Sequence, residues 1–207
     1  MISLLFCAFC LSAGPADSLD VRRLSRAPVL DGRVDAAEYG AASIRMAAAA
    51  GEVTAWVGRH DGYIYIAASL PDSSFYWGDD LVVSIDPDGS GGTSPGDGDR
   101  QWYLRRVLDS SVVLTATGGR WETPGKPTPM LGTTRHHADW DVASSSTASG
   151  WMIELRIRES ALTAPRLALR TYNNAPQGWW SWPAPAAGVP AQRVERSPEQ
   201  WVVLRLR

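Results

Sequence analysis

The sequence predicts an all-β protein, an antiparallel β-sandwich of jelly-roll-like type preceded by a signal peptide. Short runs alternate apolar and polar residues, as in Val53, Ala55 and Val57, or in Ile64 and Ile66. Alternation with a period of two is the pattern of strands that are buried on one face. Turn signals separate the runs, and no stretch keeps a helical period over an ordinary helix length. Many short strands with short connections are typical of a sandwich.

Each element is justified by its own pattern. The run 81–85 is apolar on both faces and is closed by Pro87 and glycines, which predicts a buried strand. Asp35 and Glu38 suit the N-cap and third position of one short helical turn. The strand candidates, in chain order, are residues 52–58, 63–70, 81–85, 101–108, 112–116, 138–148, 150–157, 167–172 and 201–206. Gly- and Pro-rich residues 118–134 and 183–190 are predicted loops.

Residues 1–16 are interpreted as a secretory signal peptide. Residues 2–11 form an apolar core of suitable length that is too short to span a bilayer. Small residues follow it, so we expect cleavage after Ala16 and a secreted or extracytoplasmic location. No Lys or Arg precedes the apolar core, and the alternative is a buried N-terminal strand or helix.

The rest of the chain is expected to form one domain. Residues 17–27 are interpreted as a polar N-terminal lead-in and residues 28–207 as the sandwich. Both cysteines, Cys7 and Cys10, lie in the signal segment, so the mature chain is expected to have no disulfide. The net charge of −2 argues against a nucleic-acid partner.

An acidic hairpin follows the buried strand and is a candidate calcium site. Asp86, Asp88, Ser90 and Asp97 stand at positions one, three, five and twelve of a loop that resembles an EF-hand loop, with Gly91 at position six. Clustered oxygen ligands on a tight turn suit a hard cation, so a structural calcium is expected. The alternative is an exposed turn in which Asp and Gly serve the backbone geometry.

Tryptophans provide the candidate ligand platforms. Trp77 comes just before the buried strand, where an exposed ring would form a flat surface for a sugar. Trp179, Trp180 and Trp182 form the densest aromatic group of the chain. With strand periodicity, Trp180 and Trp182 share one face and Trp179 lies on the other.

Four motifs, in order, resemble the family 9 carbohydrate-binding modules and the related DOMON-like β-sandwich domains. They are residues 28–35 (Pro-Val-Leu-Asp-Gly-Arg-Val-Asp), 77–86 (Trp-Gly-Asp-Asp-Leu-Val-Val-Ser-Ile-Asp), 150–157 (Gly-Trp-Met-Ile-Glu-Leu-Arg-Ile) and 172–175 (Tyr-Asn-Asn-Ala). The resemblance covers residues 28–207. It implies a secreted β-sandwich that binds polysaccharide or oligosaccharide and works beside glycoside hydrolases.

The resemblance also implies where a sugar would bind, and the chain departs from the family there. Family members clamp a sugar between two Trp rings, and Trp77 stands where the first belongs. The last loop, residues 194–198, has Glu195 but no Trp, and Val82 stands where the family has a ligand-contacting Glu. Trp180 or Trp182 is then the substitute for the second ring.

The implied polar contacts complete the predicted site. Gln101 and Arg105 lie on the strand whose polar groups reach the ligand in the family, and Asn173 lies in the matching Asn motif. The predicted sugar-binding residues are therefore Trp77, Gln101, Arg105, Asn173, Trp180 and Trp182.

The predicted function is secreted, non-catalytic carbohydrate binding in carbohydrate breakdown, with no membrane span. No Gly-x-Ser-x-Gly, His-Glu-x-x-His or phosphate-loop motif supports an enzyme. One alternative is an interaction or structural module of this fold that has lost sugar binding. Another is a carrier of a small ligand or haem, for which His60, His136 and His137 are the available histidines. The pair His136 and His137 is interpreted as part of a surface loop rather than a metal site.

Overall fold

The computed structural model describes residues 18–48, 50–76, 78–107, 111–122 and 134–206. The predicted signal peptide, residues 1–16, and the predicted platform Trp77 lie outside these ranges. Among the described residues, no helix has the length and apolar character needed to cross a membrane.

The predicted fold class, an all-β sandwich, is confirmed. The strands are β1 Ser18–Arg23, β2 Ile44–Ala48, β3 Gly51–His60, β4 Tyr63–Pro71, β5 Asp80–Asp86, β6 Arg100–Arg105, β7 Val112–Thr117, β8 Arg120–Glu122, β9 Thr134–His136, β10 Trp140–Thr147, β11 Gly150–Arg158, β12 Arg166–Asn174, β13 Gln177–Trp182 and β14 Val202–Leu206. The helical elements are α1 Ala36–Tyr39 and the 3₁₀ helices Glu159–Ala161, Ala191–Arg196 and Pro198–Gln200.

Two sheets face each other. The front sheet has the order β8-β7-β6-β5-β12, and the far edge of β12 pairs with β14 along its start and with β13 along its remainder. The back sheet contains β2, β3, β4, β11, β10 and β9 in that order. All of these neighbours are antiparallel.

Strand β1 joins the two sheets. Its first four residues, Ser18 to Val21, pair in parallel with β14 of the front sheet, and Arg22 and Arg23 pair in parallel with β3 of the back sheet. The sequence predicts only a polar lead-in here, because Val21 and Leu24 are the buried apolar residues of residues 18–24. A strand at the seam between two sheets has few positions to bury, so its alternation is weak.

The core lies between the sheets. Ile64 and Ile66 of β4 point into it, as the alternation predicts, together with Leu81, Val83 and Ile85 of β5. Strand β5 is buried along its whole length, which confirms the buried strand expected from its continuous apolar run. The outer face of the front sheet is therefore also covered where β5 crosses it.

Helix α1 begins as the sequence predicts. Asp35 is the N-cap, and its carboxylate accepts a hydrogen bond from the backbone N–H of Ala37 at 2.8 Å. Strands β2, β8 and β9 fall in segments that the pattern does not predict as strands, and β13 is likewise absent from the strand candidates. Strands β2, β8 and β9 all lie at sheet edges.

Two of the family-like motifs meet in the structure. The carboxylate of Glu154, which is 0% exposed, accepts hydrogen bonds from the backbone N–H groups of Asp31 at 3.1 Å and Gly32 at 2.8 Å, and from the Tyr39 hydroxyl at 2.7 Å. Gly32 has φ +79°, and a Cβ there would lie 2.3 Å from a backbone carbon of Ser144. The first and third motifs therefore form one anchor, which we call the Glu154 clamp.

The other two motifs meet in the same way. The Asp79 carboxylate accepts a hydrogen bond from the backbone N–H of Asn174 at 3.0 Å. The Asp80 carboxylate accepts a hydrogen bond from the backbone N–H of Tyr172 at 3.1 Å. The backbone carbonyl of Asp80 accepts one from the Thr171 hydroxyl at 2.7 Å. The motif residues that carry the resemblance thus tie distant segments of the fold together.

Candidate functional site

Exposed aromatic side chains gather at one end of the front sheet. Of the four large apolar side chains that are exposed in the described ranges, three lie here: Phe75 (63%), Tyr76 (47%) and Trp179 (38%). The Trp179 ring contacts the Tyr172 ring, with centroids 4.4 Å apart and planes at 40°. We call Phe75, Tyr76, Tyr172 and Trp179 the aromatic rim.

The loop that carries Phe75 and Tyr76 is bonded to the turn between β12 and β13. The Ser74 hydroxyl donates to the carbonyl of Ala175 in the β12–β13 turn at 3.2 Å, and the Asn174–Asp79 bond lies beside it. Asp79 also accepts a bond from the backbone N–H of Tyr76 at 3.1 Å. The loop that carries Phe75 and Tyr76 is therefore fixed against the turn that precedes Trp179.

A buried arginine supports the loop from below. The Arg106 guanidinium lies 3.2 Å from the Asp72 carboxylate and 4.0 Å from that of Asp79, and it lies 4.9 Å from the centre of the Phe75 ring. It also donates to the carbonyl of Ser74 at 2.6 Å. Burial, and then the neighbouring Asp72, raise the pKa of Asp79 to about 6. One guanidinium thus serves two buried carboxylates.

A second arginine lies between two rings beneath the rim. The Arg170 side chain is 3% exposed, and its guanidinium carbon lies 4.4 Å from the centre of the Trp179 ring and 5.3 Å from that of Tyr103. It pairs with Asp80 at 3.3 Å and with Glu195 of the Ala191–Arg196 helix. Burial raises the pKa of Asp80 to about 6, although the charge of Arg170 acts in the opposite direction.

The predicted site residues fall on two faces of the front sheet. Arg105 is on the outer face, where its guanidinium carbon lies 5.4 Å from the centre of the Tyr103 ring. Gln101 is on the same face but is buried, and its amide donates to the Ser84 hydroxyl at 3.1 Å. Their register with β5 brings both residues to the face that carries Trp179.

Asn173, Trp180 and Trp182 lie on the opposite face, toward the back sheet. Trp180 and Trp182 share a face as predicted, and Trp182 packs against the main core because it pairs in register with the core residue Leu169. Asn173 is buried, and its side chain accepts a bond from the backbone N–H of Ala175 at 3.3 Å. Contact of these residues with a sugar stays a prediction.

Two positions marked as departures from the family pattern are structural. Val82 is fully buried between Tyr103 and Arg170, its neighbours in register. Glu195 is occupied by its ion pair with Arg170. The sequence reasoning missed Trp179 and Arg170. Alternation shows that Trp179 faces away from Trp180, but it does not show which of the two faces is covered.

The acidic hairpin uses its carboxylates to hold its own backbone. Asp86 accepts bonds from the backbone N–H groups of Asp88, Gly89 and Gly91 at 3.2, 2.7 and 2.8 Å. Asp88 accepts one from Ser90 at 2.9 Å, and Asp97 accepts one from Gly118, in the β7–β8 turn, at 2.8 Å.

The predicted calcium ligands Asp86, Asp88 and Asp97 thus accept hydrogen bonds from backbone N–H groups. Among the described residues, no three His, Cys, Asp or Glu side chains are grouped so that they could hold a metal ion. Asp99 is the nearest candidate that the sequence reasoning passed over. Its Oδ1 is buried without a hydrogen-bond partner. Burial, and then the charges of Asp86 and Asp88, raise the pKa of Asp99. Calcium binding stays a prediction.

Comparison with known proteins shows the fold. No family model matches the chain, and no curated protein matches it. Solved structures of family 9 carbohydrate-binding modules from Caldicellulosiruptor kristjanssonii do match. The complex with cellotriose has a TM-score of 0.60 and 13% identity, and the match covers 92% of this chain and 93% of that chain. The complex with glucose has a TM-score of 0.59 and 13% identity, covering 92% and 96%. The resemblance in fold that the four motifs predict is confirmed.

Proposed function

We propose that the protein is a non-catalytic carbohydrate-binding domain and that the aromatic rim is its sugar-binding surface. The observation that carries the proposal is the exposed Trp179 ring, held by Tyr172 and by the buried Arg170 on the outer face of the front sheet. Sugar rings have apolar C–H faces that stack on such a ring while their hydroxyls make hydrogen bonds at its edge. The structural neighbours with this fold hold cellotriose and glucose.

Each candidate residue has a role in this proposal. Trp77 comes directly after Tyr76 in the sequence and provides the first platform, as the sequence predicts. Trp179 provides the second platform, for which the sequence predicts Trp180 or Trp182, because Trp179 is the exposed ring of the three. Arg105 donates hydrogen bonds to sugar hydroxyls. Gln101 and Asn173, both buried, hold the strands beneath the platforms.

The test compares two tryptophans on opposite faces of β13. Trp179→Ala should weaken the binding of cellotriose about tenfold or more, measured by titration calorimetry, with a nearly unchanged Tm. Trp182→Ala is the matched control, and it should lower Tm because that ring packs against the core. Trp77→Ala should behave like Trp179→Ala. With one family platform residue retained, we expect Kd of about 0.1–1 mM, or about −4 to −5.5 kcal/mol.

Two results would contradict the proposal. One is wild-type protein that binds neither soluble cello-oligosaccharides nor insoluble glycans in pull-down assays. The other is unchanged cellotriose affinity in both Trp179→Ala and Trp77→Ala.

A second candidate function is an interaction module that has lost sugar binding. The observation that favours it is Arg170, whose guanidinium already lies between the Trp179 and Tyr103 rings and is neutralised by Asp80 and Glu195. In that case the rim still faces outward but takes no sugar. Absence of sugar binding in the wild type, together with an unchanged fold, would select this candidate.

The proposal extends to the protein's setting. We propose that the chain is exported after cleavage of residues 1–16, works beside glycoside hydrolases, and has calcium at the acidic hairpin. The buried, unpartnered Oδ1 of Asp99 supports the calcium, together with the charges of Asp86 and Asp88, which add to burial in raising the pKa of Asp99. The apolar core at residues 2–11 supports the export.

A further inference from the structure

A groove of about 470 Å³ opens beside the Ala191–Arg196 helix. Its walls are residues 93–95, the turn and start of β8 at residues 119–121, and the helix residues Arg193 and Arg196 with Ser197. The volume falls within the roughly 300–1,000 Å³ of small-molecule sites. The helix separates this groove from the aromatic rim, because Glu195 pairs with Arg170 whereas Arg193 and Arg196 line the groove.

The walls of the groove are bonded to each other. The Trp121 ring stacks on Trp201, with centroids 6.5 Å apart and planes at 4°. Trp201 is buried, and its indole N–H donates to the carbonyl of Val194 in the helix at 2.7 Å. The backbone N–H of Glu199 donates to the carbonyl of Gly92 at 3.0 Å, which ties residues 93–95 to the same region. The groove is therefore formed before any ligand arrives.

The groove carries an excess of positive charge. Arg120, Arg193 and Arg196 line it, all three are exposed, and none forms an ion pair within the described ranges. The carboxylate nearest along the helix, Glu195, is neutralised by Arg170. Glu122, two residues after Arg120, is the acidic residue of β8. Guanidinium groups bind two oxygens of a carboxylate or of a sulfate through paired hydrogen bonds.

We propose that this groove is a second glycan-binding site that takes the carboxylate or sulfate group of an acidic polysaccharide. Arg193 and Arg196 pair with the anionic group, and the hydroxyls of Ser94 and Ser197 make hydrogen bonds with the sugar. The Trp121 wall provides apolar surface for the ring of the same or the next residue. The site is independent of the aromatic rim, so it acts whether or not the rim binds neutral sugar.

The overall charge favours a glycan over a nucleic acid. The chain has a net charge of −2 and an isoelectric point of about 5.9, which repels a polyanion that carries one charge every 1.7 Å or so. An acidic glycan carries at most a few charges on each sugar, and a local pair of arginines can bind one of them. Attraction at this range persists despite the net charge, because the Debye length is about 8 Å at physiological salt.

The test removes the arginine pair and uses a matched loss of charge as control. Arg193→Ser with Arg196→Ser should lower the affinity for a galacturonic acid trimer or a sulfated disaccharide about tenfold or more. Arg23→Ser with Arg33→Ser removes the same charge at exposed positions outside the groove and should leave that affinity unchanged. Cellotriose affinity should be the same in all variants, which separates this site from the rim.

The arms of the experiment also identify the anion and can overturn the proposal. The tighter of the two anionic probes names the source as carboxylate or sulfate, and its binding should weaken strongly at about 1 M salt. Equal losses in the groove variant and in the control variant would overturn the proposal, because bulk charge would then explain binding. It would also be overturned if neither probe bound, or if a single-stranded oligonucleotide of equal charge bound more tightly.

Discussion

Removal of the Glu154 carboxylate should be among the most destabilising single changes in this chain. Its two oxygens accept three hydrogen bonds, from the backbone N–H groups of Asp31 and Gly32 and from the Tyr39 hydroxyl, and the residue is 0% exposed. Glu154→Ala leaves all three donors without a partner in the space that the side chain occupied. Of the bonds between the N-terminal loop and β11, the one from the backbone N–H of Val34 to the Met152 sulfur, at 3.4 Å, then remains.

The magnitude follows from the number of bonds and from the burial of the acid. Each buried donor left unpaired costs about 1–3 kcal/mol, which gives about 2–6 kcal/mol for those of Gly32 and Tyr39, and the partly buried N–H of Asp31 adds a smaller cost. Relief of the buried charge offsets part of this, because burial raises the pKa of Glu154 above its usual range. We expect a net loss of about 3–5 kcal/mol. For a domain of this size that lowers Tm by about 6–20 °C.

The assay is urea unfolding followed by tryptophan fluorescence, with Tyr39→Phe as the control. Tyr39→Phe removes one bond of the three and should cost about 1–2 kcal/mol at an unchanged m-value. Glu154→Gln should fall between the two variants, because its amide keeps one oxygen for the backbone donors. A loss of stability in Glu154→Ala no larger than that in Tyr39→Phe would show that the clamp does not hold the N-terminal loop.

The remaining predictions concern pH, calcium and export. The pKa values of Asp79 and Asp80 are raised from 3.8 to about 6 in the folded chain, so the folded state binds more protons between these values, and stability should increase as pH falls from 7 to about 5. Asp79→Asn should flatten this profile, and a steady loss of stability over the same range would contradict it. Bound calcium at a hundredfold excess over Kd adds about 2.7 kcal/mol to the free energy of unfolding. Chelation should remove this contribution and lower Tm. Asp86→Ala with Asp88→Ala should abolish the shift, whereas identical melting curves would count against the site. Mass spectrometry of protein from its native host should find an N-terminus near Asp17, and an intact first residue in exported protein would refute cleavage.

Much of the sandwich could be predicted from the sequence because alternation is a local property. The face of β4 with Ile64 and Ile66, and the fully buried run of β5, follow from the residue pattern alone. Strand β1 could not be predicted in this way. Its neighbours β14 and β3 lie far away in the chain, and few of its residues are buried.

The site was less predictable because it depends on register between distant strands. Alternation separates Trp179 from Trp180 and Trp182, but only the pairing of Trp182 with Leu169 shows which side meets the core. Arg170 forms ion pairs with Asp80, which is 90 residues away in the chain, and with Glu195. Glu195 lies in a 3₁₀ helix that no periodicity predicts. Contacts of this kind leave no mark in the local sequence.

The placement of β1 has a mechanical consequence. Ser18 pairs with Val203 and Val21 pairs with Leu206, so the two strands run side by side in the same direction. A pull that enters at Ser18 and leaves at Leu206 drags the strands past each other along their length, and the evenly spaced bonds of the ladder share the load in shear. Bonds loaded together resist far more than bonds peeled one at a time. The fold should therefore resist a pull between these two ends better than a pull that separates β1 from β14 one bond at a time.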